Sequence, residues 1–381
     1  MRALFFMALL SSQLLRLAHA DDANPEHNGK TLGQWTAMAR ENDSPRLRRV
    51  AVVALGAIGA EALPKVRREV CVTLGKAFRS DGAAAVRAEA GKALGNLSPE
   101  LIKDTTSDTG SVVIDLAEGL RAEKDTEVKR EGANALGRYG SLAKAAVSSL
   151  TTLLNDPDAQ VREYAALGLG RIGAESKASA DDLLKLLNAK ELQVRRAAVF
   201  ALGRVEADDK TKVAERLLPL LAAEKDADAR YELVVAIGLL REKTPTVAKA
   251  LLPMLKDTNV ETRRQAAKAI AMLEEAAKAG EADLTDSFRK DTDKLVRAYA
   301  LRALCAAVGD AEKLVPVLTP QLNPKTETEA DVRVAVCDEL GALGPEAMAA
   351  VPAVRDAQKD PVSAVRDAAA GALKKLIAKK K

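Results

Sequence analysis

The stretch VREYAALGLGRIG, residues 161–173, decides the fold because versions of it occur ten times along the chain. Val128 begins VKREGANALGRYG, and Val194 begins VRRAAVFALGRVE. Successive copies start 33 to 42 residues apart, an interval typical of proteins built from stacked structural repeats. In such proteins each unit buries its apolar face against its neighbours. The copies start at Leu47, Val86, Val128, Val161, Val194, Ala229, Thr262, Val296, Val332 and Val365.

Each copy has the apolar periodicity of a helix. If the first residue of a copy is column 0, columns 0, 4, 8 and 11 fall within a stripe about 80° wide on a helix. A second apolar-periodic stretch, such as AVSSLTTLL at 146–154, lies between copies. Each unit is therefore predicted to be two helices joined by a short turn, and almost no strand is expected. Column 12 is predicted to end the helix with a left-handed glycine, at Gly59, Gly140, Gly173 and Gly344.

The copies resemble HEAT repeats, in particular the bacterial type called PBS-lyase HEAT-like repeats. The motif D-x-x-V-R-x-x-A-x-x-A-L-G-x-(I/L)-G is nearly complete from Asp158 to Gly173. The resemblance covers residues 31–381 and implies an all-α, right-handed α-solenoid, or superhelix, of about ten two-helix repeats. It also implies that the second helix of each pair lines a concave side. Residues 103–111, KDTTSDTGS, are predicted to form a longer loop between two repeats.

The first residues are predicted to direct export. Residues 1–20 combine an early arginine, a short apolar run and an Ala-His-Ala ending, the pattern of a signal peptide. The apolar run is too short to span a bilayer, so no membrane span is expected after signal removal, although an uncleaved anchor is the alternative. Residues 21–30 are a polar N-terminal leader, and 31–381 are the solenoid. The expected location is the periplasm or the medium.

The charge balance bears on nucleic-acid binding, and the cysteine positions bear on disulfide formation. Without residues 1–20 the chain has 56 basic and 54 acidic residues, a balance that argues against nucleic-acid binding. The three cysteines lie in helical patterns at packing positions and are predicted to be buried free thiols: Cys71, Cys305 and Cys337.

Column 1 is basic in all ten copies and has two interpretations. It could bind a polyanion, or its side chains could pair with acids three residues before column 0 of a neighbouring repeat. HEAT-like families use such a ladder to hold repeats together, so the structural interpretation is favoured. The predicted ladder includes Arg87, Arg162, Arg195, Arg230, Arg297, Asp125, Asp158, Asp226 and Asp293.

Signals for catalysis are sparse. His27 is the only histidine after residue 20, and no HExxH, CxxC or CxxCH pattern occurs, so no catalytic, cofactor-binding or metal-binding residue is predicted. The GKT sequence ending at Thr31 imitates part of a phosphate-binding loop, but no strand precedes it. Thr31 is instead predicted to cap the first helix, whose Trp35 seals the end of the solenoid.

The columns opposite the buried stripe carry the candidate site. Four of the eight aromatic residues after residue 20 fall there, beside aliphatic residues and arginines. An apolar strip with a basic edge is typical of a surface that binds a segment of another protein. The alternative is that these side chains pack between repeats. The candidate partner-binding residues are Tyr164, Leu167, Phe200, Tyr231, Val235, Leu239 and Tyr299, with Arg138, Arg171 and Arg204.

These patterns predict an exported, non-enzymatic scaffold that binds another protein or peptide segment along its concave helix face. Two alternatives stay open. The repeat type suggests a bilin or chromophore lyase-like enzyme, although fold resemblance is a poor guide to activity. A nucleic-acid-binding HEAT-like protein is the third class, and the near-neutral charge weighs against it.

Overall fold

A computed structural model describes residues 24–97 and 106–378. The predicted signal peptide, residues 1–20, lies outside the described residues, as does the start of the leader. The described residues form two compact units, which divide between Asp208 and Asp209. In both units the described residues are almost entirely helical, as predicted. No helix within 24–97 and 106–378 is long and apolar enough to cross a membrane.

The first unit begins with a minimal hairpin, in which Glu26 pairs with Thr31. Helices follow in pairs, and 3-10 segments at Gly140–Ala146 and Gly173–Ser179 join several of them. The elements are β1 (Glu26–His27), β2 (Lys30–Thr31), α1 (Leu32–Glu41), α2 (Pro45–Glu61), α3 (Pro64–Ser80), α4 (Ala84–Asn96), α5 (Thr106–Arg121), α6 (Thr126–Tyr139), α7 (Val147–Leu153), α8 (Ala159–Ile172), α9 (Ala180–Leu186) and α10 (Leu192–Leu202).

The second unit continues the same alternation. Its 3-10 segments are Leu252–Lys256, Glu274–Gly280, Thr319–Leu322 and Gly344–Ala350. Its helices are α11 (Lys210–Ala223), α12 (Ala227–Leu240), α13 (Pro245–Leu251), α14 (Val260–Ala271), α15 (Glu281–Lys290), α16 (Lys294–Val308), α17 (Ala311–Leu318), α18 (Ala330–Leu343), α19 (Val351–Ala357) and α20 (Ser363–Leu376).

The helices that carry the repeated motif form one layer in each unit, and we call them the motif helices. In the first unit they are α2, α4, α6, α8 and α10, and each packs against the next. In the second unit α12, α14, α16, α18 and α20 pack in the same way. The remaining helices form the other layer. This nearest-neighbour stacking of helical pairs makes each unit an all-α solenoid.

The predicted start of the fold is confirmed. The Thr31 hydroxyl accepts the Gln34 N–H, and the Gln34 side chain accepts the Thr31 N–H, which together make a capping box on α1. Trp35 is 5% exposed and donates its indole N–H to the His27 carbonyl at 2.8 Å. The hairpin is therefore fixed to the first helix through the ring.

The buried columns follow the helical period, with departures at the two ends. Column 8 is at most 1% exposed from Leu55 to Leu340, but Leu373 in α20 is partly exposed. Column 0 is buried in nine copies, whereas Leu47 is 43% exposed. The three cysteines are free and buried, as predicted.

Two local predictions are corrected. Gly140, Gly173 and Gly344 do have positive φ, but ψ lies between −134° and −148° at these residues, so they occupy a region open essentially to glycine alone and not the left-handed helical well. Gly59 lies inside α2, which continues past it. The predicted loop at 103–111 is helical from Thr106 onward, and 103–105 lie outside the described residues.

Candidate protein-interaction surface

The ladder of ion pairs exists, and its acids come from a different column than predicted. In the Val86 copy, Arg87 pairs with Glu123 at 2.7 Å, and in the Val296 copy, Arg297 pairs with Glu327 at 2.7 Å. Each acid lies five residues before the start of the next copy. In five further copies the column-1 residue pairs with the acid at this same position: Arg48–Asp81, Lys129–Asp156, Arg230–Asp257, Arg263–Asp291 and Arg333–Asp360.

The column-1 arginine also binds the turn that precedes its own helix. Arg87 donates to the Asp81 carbonyl at 2.8 Å while it pairs with Glu123. Arg195 donates to the carbonyls of Ala189 and Lys190, both at 2.7 Å. A guanidinium that joins a turn to the next repeat restrains both, which is the structural role predicted for this column.

The predicted acids mostly serve another purpose. Asp125, Asp158, Asp226 and Asp293 are N-cap residues whose carboxylates accept first-turn N–H groups of their own helices. Because first-turn N–H groups occupy these carboxylates, the predicted pairing of these aspartates with column-1 residues is wrong. Two of them also pair with a column-2 arginine of the preceding repeat, in Arg130–Asp158 and Arg264–Asp293. The prediction holds for Arg162, which pairs with Glu191 at 2.9 Å.

The electrostatics agree with a structural ladder. Burial opposes ionisation of Asp81, but hydrogen bonds from Arg48 and from the Ala83 N–H outweigh it and hold the pKa of this carboxyl below its usual range. Glu123 has a lowered pKa for the same reason, because Arg87 and two backbone N–H groups bind it. These charges are already matched within the chain, which leaves little for a ligand.

The candidate strip of the first unit lies on α8 and α10. Tyr164, Leu167 and Phe200 are partly buried, and none of the three is enclosed in the core. Arg171 and Arg138 are exposed at the ends of α8 and α6. The structure brings the aromatic, aliphatic and basic candidates of this unit onto one face of the motif-helix layer.

Contacts between neighbouring helices make this strip continuous. A Cβ on Gly137 would lie 3.2 Å from Nη1 of Arg171, so this guanidinium lies over α6. A Cβ on Gly170 would lie 2.8 Å from the Phe200 ring, so the ring lies over α8. Arg204 stacks at 3.8 Å from the Phe200 ring centre and donates to the Phe200 carbonyl at 2.9 Å. The Phe200 ring therefore packs between repeats and also borders the surface, and Arg204 covers it.

Acidic side chains lie on the other edge of the same face. Glu131 on α6 and Glu163 on α8 are partly buried at columns 3 and 2. Burial raises the pKa of Glu163. Burial, reinforced by Glu127 and Glu89, raises the pKa of Glu131, although Lys92 opposes that shift. The strip thus runs from acidic near the start of the helices to basic at their ends.

The candidate partner-binding residues of the second unit do not form a continuous apolar strip. Tyr231 and Val235 are partly buried on α12, and Leu239 is 45% exposed on the same helix. Tyr299 lies on α16, and α14 packs between these two helices. Columns 3 and 6 of α14 are Gln265 and Lys268. The apolar candidates of this unit are therefore divided by polar side chains.

One exposed apolar group was missed by the sequence reasoning. Leu47, Val50 and Val53 of α2 are 43%, 46% and 51% exposed. Their spacing of three residues could have revealed a shared face. It was overlooked because Leu47 was assigned to the buried column.

A metal centre and a ligand groove are the other kinds of site to consider. Within 24–97 and 106–378, no group of three or more His, Cys, Asp or Glu side chains could hold a metal ion. An open groove of about 580 Å³ lies in the other helix layer of the first unit. Hydroxyl groups of Ser148, Thr151 and Ser179 line it, together with Asp182.

Comparison with known proteins defines the class. The family model described as HEAT repeats matches residues 113–203, 147–238, 214–305 and 281–374. The chain belongs to the HEAT-repeat family. No curated protein matches it.

Many solved structures are similar in fold, and two of them show how far the likeness extends. One is an engineered protein from the Northeast Structural Genomics Consortium, at 20% identity and a TM-score of 0.65, over 91% of this chain and 99% of that one. The other is importin beta, at 13% identity and a TM-score of 0.55, over 90% of this chain. This chain spans about half of importin beta, 52% of its length. At these identities the likeness concerns the fold alone.

Proposed function

We propose that this chain is a non-enzymatic scaffold that binds another protein along the exposed face of its motif helices. HEAT repeats suggest a protein-interaction scaffold in general. The observation that supports the location is the continuous strip on α8 and α10, where Tyr164, Leu167 and Phe200 lie beside Arg171. Partly buried aromatic residues beside arginine are the composition that dominates binding energy at protein interfaces.

The geometry suits binding with little loss of freedom. The strip lies on α8, which packs between α6 and α10, and on α10, where Arg204 restrains the Phe200 ring. Ordering a side chain at an interface costs roughly 0.5–1.5 kcal/mol, so a side chain that is ordered beforehand favours association. Many weak contacts on a rigid surface are the mechanism that we propose.

The proposed location is outside the cytoplasm, in the periplasm or the medium, and it rests on the pattern of residues 1–20. Cell fractionation followed by mass measurement of the recovered protein tests it. Cleavage after Ala20 and recovery outside the cytoplasm are expected. Recovery of the full-length chain in the cytoplasm would contradict export without affecting the proposed surface.

Two other functions have less support. A bilin or chromophore lyase-like enzyme would need a pocket for a tetrapyrrole, and the groove lined by Ser148 and Asp182 is open and rich in hydroxyl groups. Incubation with bilin or haem tests this, because binding would shift the absorption spectrum. A nucleic-acid-binding protein would need unpaired basic groups in number, whereas most column-1 residues are already paired with acids.

Site-specific photo-crosslinking tests the scaffold function. Benzoylphenylalanine replaces Tyr164 in one variant and Leu192, which is 48% exposed at the start of α10, in a control variant. Both are produced as residues 21–381 and irradiated with the extracytoplasmic fraction of the native cell. A discrete protein adduct at the first position, absent at the control and abolished by excess unlabelled chain, is expected. Equal adducts at both positions, or none at either with the fraction in which the protein is recovered, would contradict the proposed surface.

A further inference from the structure

The motif helix α20 carries a column-1 arginine without an acid. Arg366 donates through Nη1 to the carbonyls of Asp360 and Pro361, at 2.8 and 3.0 Å. Arg333 holds its own turn in the same way, through Nη1 and the Glu327 carbonyl, while its Nε and Nη2 bind the carboxylate of Asp360. Within the described part of the chain, Arg366 has no carboxylate partner. Its guanidinium is therefore held in the orientation of the ladder, with the edge formed by Nε and Nη2 open.

Apolar side chains lie beside this guanidinium on the same face of α20. Columns 1, 5, 8 and 12 fall within about 60° of one another on a helix. On α18, against which α20 packs, the residues at columns 1, 5 and 8 are at most 2% exposed. On α20 the same columns are open, since Arg366 is exposed and Ala370 and Leu373 are half-buried. Ile377, at column 12, is 56% exposed. We call these four residues of α20 the end face.

The repeats of this chain show what such a face binds. In seven copies the column-1 residue pairs with the acid five residues before the next copy, at 2.7 or 2.8 Å. That acid lies in the turn before a motif helix, and this helix packs against the preceding motif helix, as α20 packs against α18. The complement of the end face is therefore a turn that carries an acid, followed by a helix with an apolar face.

A second copy of this chain does not supply that acid. Asn42 occupies the equivalent position before α2, five residues ahead of Leu47. Its Oδ1 accepts the Ser44 N–H at 2.9 Å, as Oδ1 of Asp360 accepts the Val362 N–H. The other terminal atom of Asn42 is then the amide nitrogen, which donates hydrogen bonds as a guanidinium does. Two donors repel each other, so the turn before α2 is a poor partner for the end face.

A second basic side chain borders the end face. Lys374 is exposed at column 9 of α20, where α18 has Gly341. A Cβ on Gly341 would lie 3.1 Å from the Cα of Ala372, so α18 and α20 approach closely at that column. A helix on the end face meets the lysine side chain instead. Two cations along one edge, Arg366 and Lys374, favour an acidic partner over a further repeat of the same kind.

From this geometry we propose that the end face binds an acidic helical segment of another protein, with a carboxylate in the turn before its helix bound to Nε and Nη2 of Arg366. Apolar side chains of that helix contact Ala370, Leu373 and Ile377. The end face shares no residue with the strip on α8 and α10. It is therefore an interaction surface beyond the proposed function, and the two proposals can fail independently.

A structural explanation of Arg366 makes a different prediction. Its bonds to the carbonyls of Asp360 and Pro361 fix the turn before α20. If that were its whole role, its removal would loosen this turn and would not distinguish an acidic ligand from a neutral one. A pair of ligands that differ only in the acid therefore separates the two explanations.

The test uses residues 21–381 and two labelled synthetic peptides that copy the chain's own turn and helix, residues 355–378. One peptide has the natural Asp360, and in the other this residue is asparagine, as at position 42. Fluorescence anisotropy measures the binding of each peptide to the natural chain and to the variants Arg366→Gln and Ile377→Ser. Arg46→Gln, which changes an exposed arginine in the first turn of α2, is the control.

The aspartate peptide is expected to bind about 5-fold more tightly than the asparagine peptide, which corresponds to about 1 kcal/mol of ion pairing. Arg366→Gln should remove this ratio, whereas Arg46→Gln should preserve it. Ile377→Ser should weaken both peptides by a similar factor and retain the ratio. A ratio that persists in Arg366→Gln, equal binding of the two peptides to the natural chain, or no binding of either would overturn the inference.

Two further measurements address the other occupants. Sedimentation velocity at increasing concentration is expected to show no association through the end face, because Asn42 opposes it. Oligomers that Arg366→Gln dissociates would make a second copy the occupant and would overturn the inference. Single-stranded DNA that binds more tightly than the aspartate peptide, and more weakly to Arg366→Gln, would overturn it in favour of a polyanion. The crosslink at position 164 lies outside the end face, so its outcome decides the proposed function alone.

Discussion

The ion pair between Arg333 and Asp360 provides the sharpest test of the ladder. The side chains of Arg333 and Asp360 are 2% and 1% exposed, so both charges are removed from water. Two hydrogen bonds join them, at 2.8 and 3.0 Å, and Arg333 also donates to the Glu327 carbonyl at 2.8 Å. Asp360 accepts the Val362 N–H at 2.8 Å. This rung therefore connects α18 to the turn that begins α20.

The perturbation is Asp360→Asn. It keeps the size of the side chain but leaves the buried guanidinium without a counter-charge. Loss of one partner of a buried pair costs about 3–5 kcal/mol, and the amide retains one acceptor, so we expect about 3 kcal/mol. For a unit of this size about 1 kcal/mol lowers Tm by roughly 2–4 °C, so the expected fall is about 6–12 °C.

Thermal circular dichroism and hydrogen exchange measure the effect together. Because repeat proteins can open locally, exchange should quicken first in α18 and α20 and later or not at all in the first unit. The matched control is Asp331→Asn, since Lys294 and Asp331 pair at 2.7 Å but are 46% and 72% exposed. A change below about 1 kcal/mol is expected there. Equal losses in the two variants would refute the argument from burial.

The pH dependence follows from the direction of the pKa shift. Burial tends to raise the pKa of Asp360, but the hydrogen bonds from Arg333 and from the Val362 N–H outweigh it, so the folded value lies below the ordinary value of 3.8. A lowered folded pKa contributes stability above the unfolded pKa, and this contribution is lost as pH falls through the folded pKa. The difference between the natural chain and Asp360→Asn should be complete at neutral pH and shrink below about pH 4. A difference that stays constant down to pH 2 would contradict this origin.

Three further substitutions test the packing and the caps. Gly170→Ala places a Cβ 2.8 Å from the Cα of Ala201, and we expect a net loss of about 1–2 kcal/mol in urea unfolding despite the better helix propensity of alanine. Thr31→Ala removes the N-cap acceptor of α1 and should cost about 1 kcal/mol, with faster hydrogen exchange confined to that helix. Tyr139→Phe removes the buried donor to the Leu94 carbonyl and should cost about 1–2 kcal/mol in the same urea assay, whereas an unchanged midpoint would show that this bond contributes nothing.

The period of the sequence predicted the fold because each repeat meets the same environment. Val161 and Leu169 are fully buried, and their counterparts in most copies are too. The prediction weakened where this environment ends. Leu47 at one end and Leu373 at the other are exposed or partly exposed. Terminal repeats differ from internal ones because they have a neighbour on one side only.

The partners of the ladder could not be read from the period alone. The turns carry acids both three and five residues before a copy, as Asp156 and Asp158 illustrate. Asp158 caps α8 and pairs with Arg130, whereas Asp156 pairs with Lys129. The choice depends on where the turn directs each carboxylate, which is a property of its three-dimensional path.

The candidate surface was predictable in composition and not in continuity. Tyr164 and Phe200 stand out from the sequence because aromatic residues are rare in this chain. Whether two such residues share a surface depends on the helix between them. In the second unit Gln265 and Lys268 of α14 separate Tyr299 from the apolar residues of α12, which the similar spacing of the copies did not reveal.

Variable side chains of one motif helix lie close to repeated glycines of the preceding motif helix. Gly137 and Gly170 occupy column 9, and the side chain that lies over each of them belongs to a variable column of the next helix, Arg171 over one and Phe200 over the other. Alanine in place of Gly170 would push α10 away, since a Cβ there meets the Ala201 backbone at 2.8 Å. These two glycines therefore set the distance between the variable columns of α6, α8 and α10. A partner that reads those columns at regular intervals depends on the repeated residues for spacing and on the variable ones for chemistry.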